Sequence, residues 1–481
     1  MDEEIVLGNE KEKRLSLVYI PIVQDPQRLE RTIPGSERPM GIYFCQCGRD
    51  LRLASDLTAD LVDEVMLQFT SQPGVKVKSA IDIQAEATTG FDDSLQRAVK
   101  ENCNVLRFRN AEFEESKGAK MAGYGYEVDF LPVGGGDKSG DAITLRYGEP
   151  SSYKVMVIDG GTKESGQKLV DHIKAHYETT HVDYLVNTHP DADHASGLEV
   201  VLEQLTVGEV WVHRPWEYAE EVRHWFKDGR ITDESLTNRL KDLLSHAYRL
   251  EELAEEKGIP IYEPYAGAKI GDFYVLSPNQ NWYLDLVPQF NKTPEARSVS
   301  MAEAMKGIGL RALEKVTSWV DEHWHIETLS EDGETSCEND SSVILYGDLG
   351  GHGVLLTGDA GIQALGKACE YAETLSIDLV ASRFIQVPHH GSRNNVSPSV
   401  LNRFVGPKIT QGTASTKTAF VSASKDSEVH PRKVVTNAFL RRGANVHQTK
   451  GQSIWHSHNM PDRAGWTTST PVPFHTQVEG D

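Results

Sequence analysis

Four side chains able to hold a divalent cation crowd into one short segment, Thr188-His189-Pro190-Asp191-Ala192-Asp193-His194-Ala195-Ser196-Gly197. His189, Asp191, Asp193 and His194 together offer imidazole and carboxylate, the donor set of Zn²⁺ and Mn²⁺ sites. The segment leaves an apolar run, residues 183–187, that reads as a buried strand. A loop at a strand end can turn alternate side chains into one cavity. A lone His or Asp there would more simply serve a polar turn through local backbone hydrogen bonds. The full order His-x-Asp-x-Asp-His at a strand end points instead to metal.

Two later segments add donors. Thr357-Gly358-Asp359 closes the apolar run 354–356 and puts a carboxylate at a sheet edge. Val387-Pro388-His389-His390-Gly391-Ser392 leaves another apolar run and presents two imidazoles in a tight turn. Three strand-end clusters delivering His, Asp and His make a site for two cations the economical reading. Two such ions about 3.5–4 Å apart acidify a shared water and offset negative charge on a phosphoryl or carbonyl oxygen, which is the chemistry of hydrolysis.

The elements that must position these residues alternate short strands with glycine turns and amphipathic helices. Residues 126–133, 142–147 and 154–158 read as consecutive strands, the third ending in Ile158-Asp159-Gly160-Gly161. A helix follows, with Leu169, Ile173 and Tyr177 one face apart. Residues 215–258 are helical and charged. Strand-like runs return at 261–263, 269–276 (with a Gly271-Asp272 turn), 342–346, 354–356, 379–387 and 418–422. This order favours an α/β layered domain with functional loops at strand ends. Residues 1–122 form a separate, small α+β unit, with strands at 15–23 and 75–83 and helices at 57–69 and near 94–100. The division expected is 1–122, a hydrolase domain over 123–461 with a helical insertion at about 280–335, and a flexible tail over 462–481.

The metal segment and its neighbours resemble the metallo-β-lactamase fold superfamily, and within it the nuclease-like domain of the competence DNA-uptake channel (ComEC type). The superfamily pattern is His-x-His-x-Asp-His; this chain carries Asp191 at the second His, the HxDxDH variant of that subgroup. Further matches run in order: Ile158-Asp159-Gly160-Gly161, Leu276-Ser277-Pro278, Asn339-Asp340-Ser341-Ser342-Val343, Thr357-Gly358-Asp359, Pro388-His389-His390-Gly391-Ser392 and His430-Pro431. The resemblance implies a four-layer αββα fold and two divalent metal ions, Zn²⁺ or Mn²⁺. It implies that His189 and Asp191 hold one ion, Asp193 and His194 the other, with Asp359 between them and His389 completing the set. His390 is then the alternative ligand or a substrate contact. Asp193 would orient the attacking water and take its proton, and His430 would contact the phosphate or give a proton to the leaving group. Ser392 and Lys425 are candidate phosphate contacts. An Asp in place of an imidazole hardens the first site toward Mn²⁺ or Mg²⁺. The glycine loop 133–140, the insertion and residues 1–122 depart from the family pattern, and the membrane channel has no counterpart.

The chain has 481 residues and a formal net charge of −22, which excludes a protein that coats nucleic acid by its overall field. No run approaches the roughly 18 apolar residues of a membrane span. Five cysteines without a framework and an acidic, polar N-terminus fit a cytoplasmic protein. The function expected is a binuclear metal-dependent phosphodiesterase, a DNA nuclease within a multi-protein bacterial defence system. Nucleic acid is the substrate in this reading, and residues 1–122 or the insertion would dock a protein partner. The alternatives are a metallo-hydrolase of a small molecule (cyclic nucleotide, lactone or amide) and a noncatalytic docking subunit. His213 reads as a surface residue at a strand end or, less simply, as a further metal ligand. Arg432, Lys433, Arg441 and Arg442 read as a solvated helix face or a strand-guiding rim.

Overall fold

The computed structural model describes residues 123–135, 140–291, 293 and 318–480, with five strands among residues 1–122. The chain divides into two units, Met1–Ala122 and Gly123–Asp481. In the first unit the strands are β1 (Lys13–Tyr19), β2 (Phe44–Gln46), β3 (Arg49–Leu51), β4 (Ile81–Ala87) and β5 (Asn110–Phe113). β1 lies between β4 and β5 in an antiparallel sheet, and β2 pairs with β3. The helices expected at 57–69 and near 94–100 fall outside the described residues.

Two seven-stranded sheets build the second unit. One runs β11 (Ile261–Tyr262), β10 (Thr206–Trp211), β9 (His181–Val186), β8 (Lys154–Gly160), β7 (Ala142–Gly148), β6 (Gly125–Phe130), β20 (Ile454–His458). The other runs β12 (Lys269–Ile270), β13 (Phe273–Ser277), β15 (Ile344–Asp348), β16 (Gly353–Leu356), β17 (Ser382–Gln386), β18 (Lys417–Val421), β19 (Ala444–Gln448). β8 to β11 are parallel, as are β16 to β19, so their C-terminal loops leave on one side of each sheet.

Strand periodicity sorts the side chains into layers. Tyr126, Val128, Phe130, Ile143 and Leu145 of the first sheet meet Phe273, Leu345, Phe384 and Phe420 of the second. The first sheet's outer face packs under the helices Lys163–His172, Ala192–Gln204 and Ser245–Lys257. The second sheet's outer face packs under Ile362–Thr374, Pro398–Phe404 and Lys433–Leu440. The result is the expected four-layer αββα arrangement. Among the described residues no helix is long and apolar enough to cross a membrane.

Two expectations are corrected. Residues 462–480 are not a flexible tail. Because Tyr126, Val128 and Phe130 take the inter-sheet face, Glu127 and Asp129 point the other way and are 1% and 0% exposed. Buried carboxylates need counter-charge, and Arg463 supplies it, at 2.8 Å from Glu127 and 2.6 Å from Asp129. Farther on, β21 (Gln477–Glu479) pairs with β14 (Trp319–Asp321). Of the helical insertion over 280–335, the helix Gln280–Leu286 and β14 are described, whereas residues 292 and 294–317 lie outside. Arg441 and Arg442, expected on a solvated face, are buried. Arg441 Nη1 lies 3.2 Å from Glu322 and Arg442 Nη1 2.6 Å from Glu327, so neither offers a free charge to nucleic acid.

Candidate metal centre

The donors converge because parallel strands release their loops at the same end. Asp159, at the end of β8, has φ +54, a left-handed conformation that a non-glycine residue adopts at a cost. That turn aims a fully buried carboxylate at the loop after β9. Its Oδ2 accepts the Thr188 hydroxyl at 2.5 Å and His194 Nδ1 at 2.8 Å, and its Oδ1 accepts Thr188 N at 2.8 Å. Since the Thr188 hydroxyl donates to Asp159, its oxygen is left to accept from His189 Nδ1, at 3.0 Å. On the other sheet, Asn395 Oδ1 accepts His389 Nδ1 at 2.8 Å and the Ser422 carbonyl accepts His390 Nδ1 at 3.2 Å.

Four rings are thus held through Nδ1, and the tautomer protonated there presents Nε2 as a donor atom to a cation. Asn339 Nδ2 also lies 3.2 Å from His389 Nδ1. All four Nε2 atoms surround one carboxylate oxygen. From Asp359 Oδ2 the distances are 3.3 Å to His194, 3.7 Å to His389, 3.8 Å to His390 and 3.9 Å to His189. His189 Nε2, His194 Nε2 and Asp359 Oδ1 are buried and make no hydrogen bond. An orphaned buried polar atom costs roughly 1–3 kcal/mol, and three of them among clustered ligand-competent side chains mark a cradle for cations. The imidazole and carboxylate donors present fit divalent metal.

Electrostatics agree. Burial opposes charge on His194, yet Asp359 and Asp159 outweigh it and hold its pKa well above the ordinary value. Burial likewise opposes charge on Asp359, but His194, His389 and His390 hold its carboxyl well below the usual range. Burial, reinforced by His194, lowers the pKa of His189, leaving it in the neutral form that binds metal.

Ligand-competent atoms cluster most tightly in two groups, Asp159-His189-His194 and His194-Asp359-His390. His390 rather than His389 belongs to the tighter group, while His389 is more open to solvent, 25% against 4% exposed. Asp191 stands at the N-cap of the helix Ala192–Gln204 with Oδ2 3.9 Å from His189 Nε2 and its side chain 34% exposed. Asp193, in the first turn, is half-buried and outside both groups. His430 is buried, its ring 6.4 Å from those of His389 and His390. Ser392 is buried, with its hydroxyl accepting Asn394 N at 3.3 Å as a turn cap. Lys425 is exposed in the loop after β18.

Three residues were not assigned a role from sequence. Asp159 is the common anchor described above, and its only local signal is a carboxylate closing an apolar strand before two glycines. Asn395 ties His389 to the Asp359 backbone, its Nδ2 donating to Asp359 O at 2.8 Å. Asp141 is buried and accepts Gln386 Nε2 at 2.7 Å; burial, with Asp359 adding and His194 opposing, pushes its carboxyl up to about 7. Asp159→Ala is expected to weaken metal binding about 10–100-fold, read by competition with a chromophoric chelator. An unchanged affinity would show that the anchor is dispensable.

His213 is neither a surface residue nor part of the centre. It is 4% exposed and stacks on Tyr283 at 4.3 Å and beside Tyr265 at 4.9 Å. Burial lowers its pKa from 6.5 to about 3. The fold therefore holds it neutral while the unfolded chain takes up a proton as pH falls below the ordinary value. Its contribution is intact above that value and is lost on acidification, by about 1.4 kcal/mol per pH unit. His213→Phe, which keeps a ring between the tyrosines, should flatten the fall in stability between roughly pH 6 and 4; denaturant titrations at each pH would reveal an unaltered slope if the imidazole were irrelevant.

Residues 152–273 match the model of the metallo-beta-lactamase superfamily. No curated protein matches the chain. Among solved structures, yeast PDE1 is 12% identical over 69% of this chain and 99% of its own, with a TM-score of 0.32. A hydrolase of the beta lactamase superfamily, AbOPH, is 14% identical over 46% of this chain, with a TM-score of 0.23; only 56% of its own length is covered. A metallo-beta-lactamase from Hirschia baltica is 12% identical over 60% of this chain and 96% of its own, with a TM-score of 0.23.

Proposed function

We propose that this chain is a binuclear metal-dependent phosphodiesterase acting on DNA. The observation that carries the reading is the ring of four imidazole Nε2 atoms around Asp359 Oδ2, each ring fixed from behind. His189 and Asp191 would hold one cation and His194 with Asp193 the other, Asp359 lying between and His389 or His390 completing the set. Bound cations would supply acidification of a water and charge neutralisation at a phosphoryl oxygen.

The remaining steps fall to the chain's own groups. Asp191, Asp193 and His389 are the partly exposed members of the set, so substrate enters on their side. The half-buried Asp193 carboxylate would accept the proton of the attacking water. His430, beside His389 and His390, would give a proton to the leaving oxygen. The HxDxDH pattern, resembling that of the competence nuclease-like domain, favours Mn²⁺ and a nucleic-acid substrate. A net charge of −22 means that DNA would be delivered by a local groove or a partner held by residues 1–122 or the insertion. A bacterial defence complex is the setting proposed.

One observation favours a second reading, hydrolysis of a small phosphodiester: the ion pairing of Arg441 and Arg442 removes the basic rim that a strand would follow. Incubation with Mn²⁺ and single- or double-stranded DNA separates the two. Cleavage that is lost in His189→Ala supports the nuclease. Intact DNA, together with hydrolysis of a small diester that His189→Ala abolishes, would replace it by the second reading.

A further inference from the structure

We propose that the ribbon of β14 and β21 clamps the two histidine loops of the centre, with Glu479 and Arg393 as positioning residues. This rests on the hydrolase reading of His389, His390 and His430 given above.

The two loops come from different strands, one after β17 and one after β18, and both need external support. His389 and His390 have φ +44 and +55, adjacent left-handed positions that persist only where surroundings impose them. His430 is followed, after Pro431 and Arg432, by the helix Lys433–Leu440, whose N-cap residue Arg432 makes no side-chain cap. The loops touch on their inner side: Arg432 N donates to Gly391 O at 3.1 Å, and a Cβ on Gly391 would stand 2.6 Å from Pro431 Cβ.

Their outer side is held by two consecutive residues from the far end of the chain. Gly480 O accepts Arg393 Nη1 at 2.7 Å, three residues beyond His390. Glu479, 7% exposed, accepts Lys433 N at 3.2 Å and Val434 N at 3.3 Å, providing the helix with the cap and negative charge that Arg432 cannot. Glu479 and Gly480 are themselves fixed by pairing with β14, where Glu479 faces Trp319 and Gly480 N donates to Ser318 O at 3.0 Å. The Lys433 ammonium lies 4.4 Å over the Trp319 ring. One short ribbon therefore sets the spacing between the His389-His390 turn and the His430 loop.

Cobalt substitution tests the clamp without relying on turnover, because the visible bands of bound Co²⁺ report the geometry of the histidine ligands. Wild type, Glu479→Ala, Glu479→Gln and Arg393→Met are loaded with Co²⁺ and also assayed with Mn²⁺ on bis(p-nitrophenyl) phosphate. Glu479→Ala should shift the cobalt bands, weaken Co²⁺ binding tenfold or more, and lower kcat tenfold or more with KM within twofold. Glu479→Gln, which keeps one acceptor oxygen, should recover most of each loss. Folded Glu479→Ala with wild-type cobalt bands and affinity overturns the proposal. If that variant does not fold, unchanged bands in both Glu479→Gln and Arg393→Met overturn it instead. Wild type that binds Co²⁺ yet hydrolyses nothing counts against the hydrolase reading alone, and the clamp is then judged on the bands. Wild type that binds no Co²⁺ overturns both.

Discussion

Asp359→Ala is expected to strip the centre of at least one of its two cations and lower hydrolysis by about a thousandfold or more. Among the described residues no other carboxylate lies within 4 Å of all four imidazole Nε2 atoms, so no neighbouring carboxylate can take over its place. The charge balance shifts as well. The anionic Asp359 is the largest favourable influence on charge at His194, and its loss leaves Asp159 as the remaining carboxylate partner of that ring. Asp359→Asn separates the two effects, since it keeps the volume and one donor oxygen but removes the charge. Elemental analysis of the reconstituted variants should find the alanine variant depleted of metal and the asparagine variant intermediate. Circular dichroism should remain that of the folded chain. Full metal occupancy in Asp359→Ala would show that the centre is not organised around this carboxylate.

A large effect on stability is expected at Gly197. The helix Ala192–Gln204 approaches β8 so closely that a Cβ on Gly197 would lie 1.9 Å from Gly160 O, 2.5 Å from Gly160 C and 2.7 Å from Thr162 O. These are backbone atoms, which cannot rotate aside, and the contact also carries a hydrogen bond from Gly197 N to Gly161 O at 2.9 Å. Gly197→Ala must therefore move the helix, at a cost of about 3 kcal/mol or more. Because that helix begins directly after Asp191, metal binding should fall with stability. Gly366→Ala is the control: it lies within the helix Ile362–Thr374 and its Cβ would meet nothing within 4 Å. There the higher helix propensity of alanine should leave stability unchanged or raise it by up to ~1 kcal/mol. Equal losses at the two positions in denaturant unfolding would show that close approach is not what Gly197 provides.

His189, Asp359, His389 and His390 could be read from sequence because each closely follows an apolar strand, where periodicity marks the strand and the end of the run marks the loop. His194 was legible through its spacing from His189, and lies in the first turn of the helix Ala192–Gln204. The anchoring residues were less legible in proportion to their distance along the chain. Asp159 leaves a trace beside its glycines, whereas Asn395 works through contacts to Thr335, Asp359 and His389 that no local pattern encodes. Asp141 and Gln386 meet across 245 positions. The last strands escaped for a related reason. β20 is an edge strand with a single buried residue, Ile454, so it shows little alternation. Arg441, Arg442 and Arg463 carry charges that by default face water. Their burial depends on Glu322, Glu327, Glu127 and Asp129, each far off in sequence. An α/β layered domain was legible from element order, whereas the four-layer αββα arrangement was implied by the resemblance; it has one apolar layer between the two sheets and one between each outer sheet face and its helices.

The central claim, a two-cation centre built by His189, Asp191, Asp193, His194, Asp359 and the His389-His390 turn, is tested most directly by metal stoichiometry. Purified chain is stripped with chelator, dialysed against Mn²⁺ or Zn²⁺, and analysed for metal per chain alongside Asp359→Ala. Two ions per chain in the wild type, with one or none in the variant, is the predicted result. Fewer than one ion per wild-type chain, or the same content in both proteins, would contradict it.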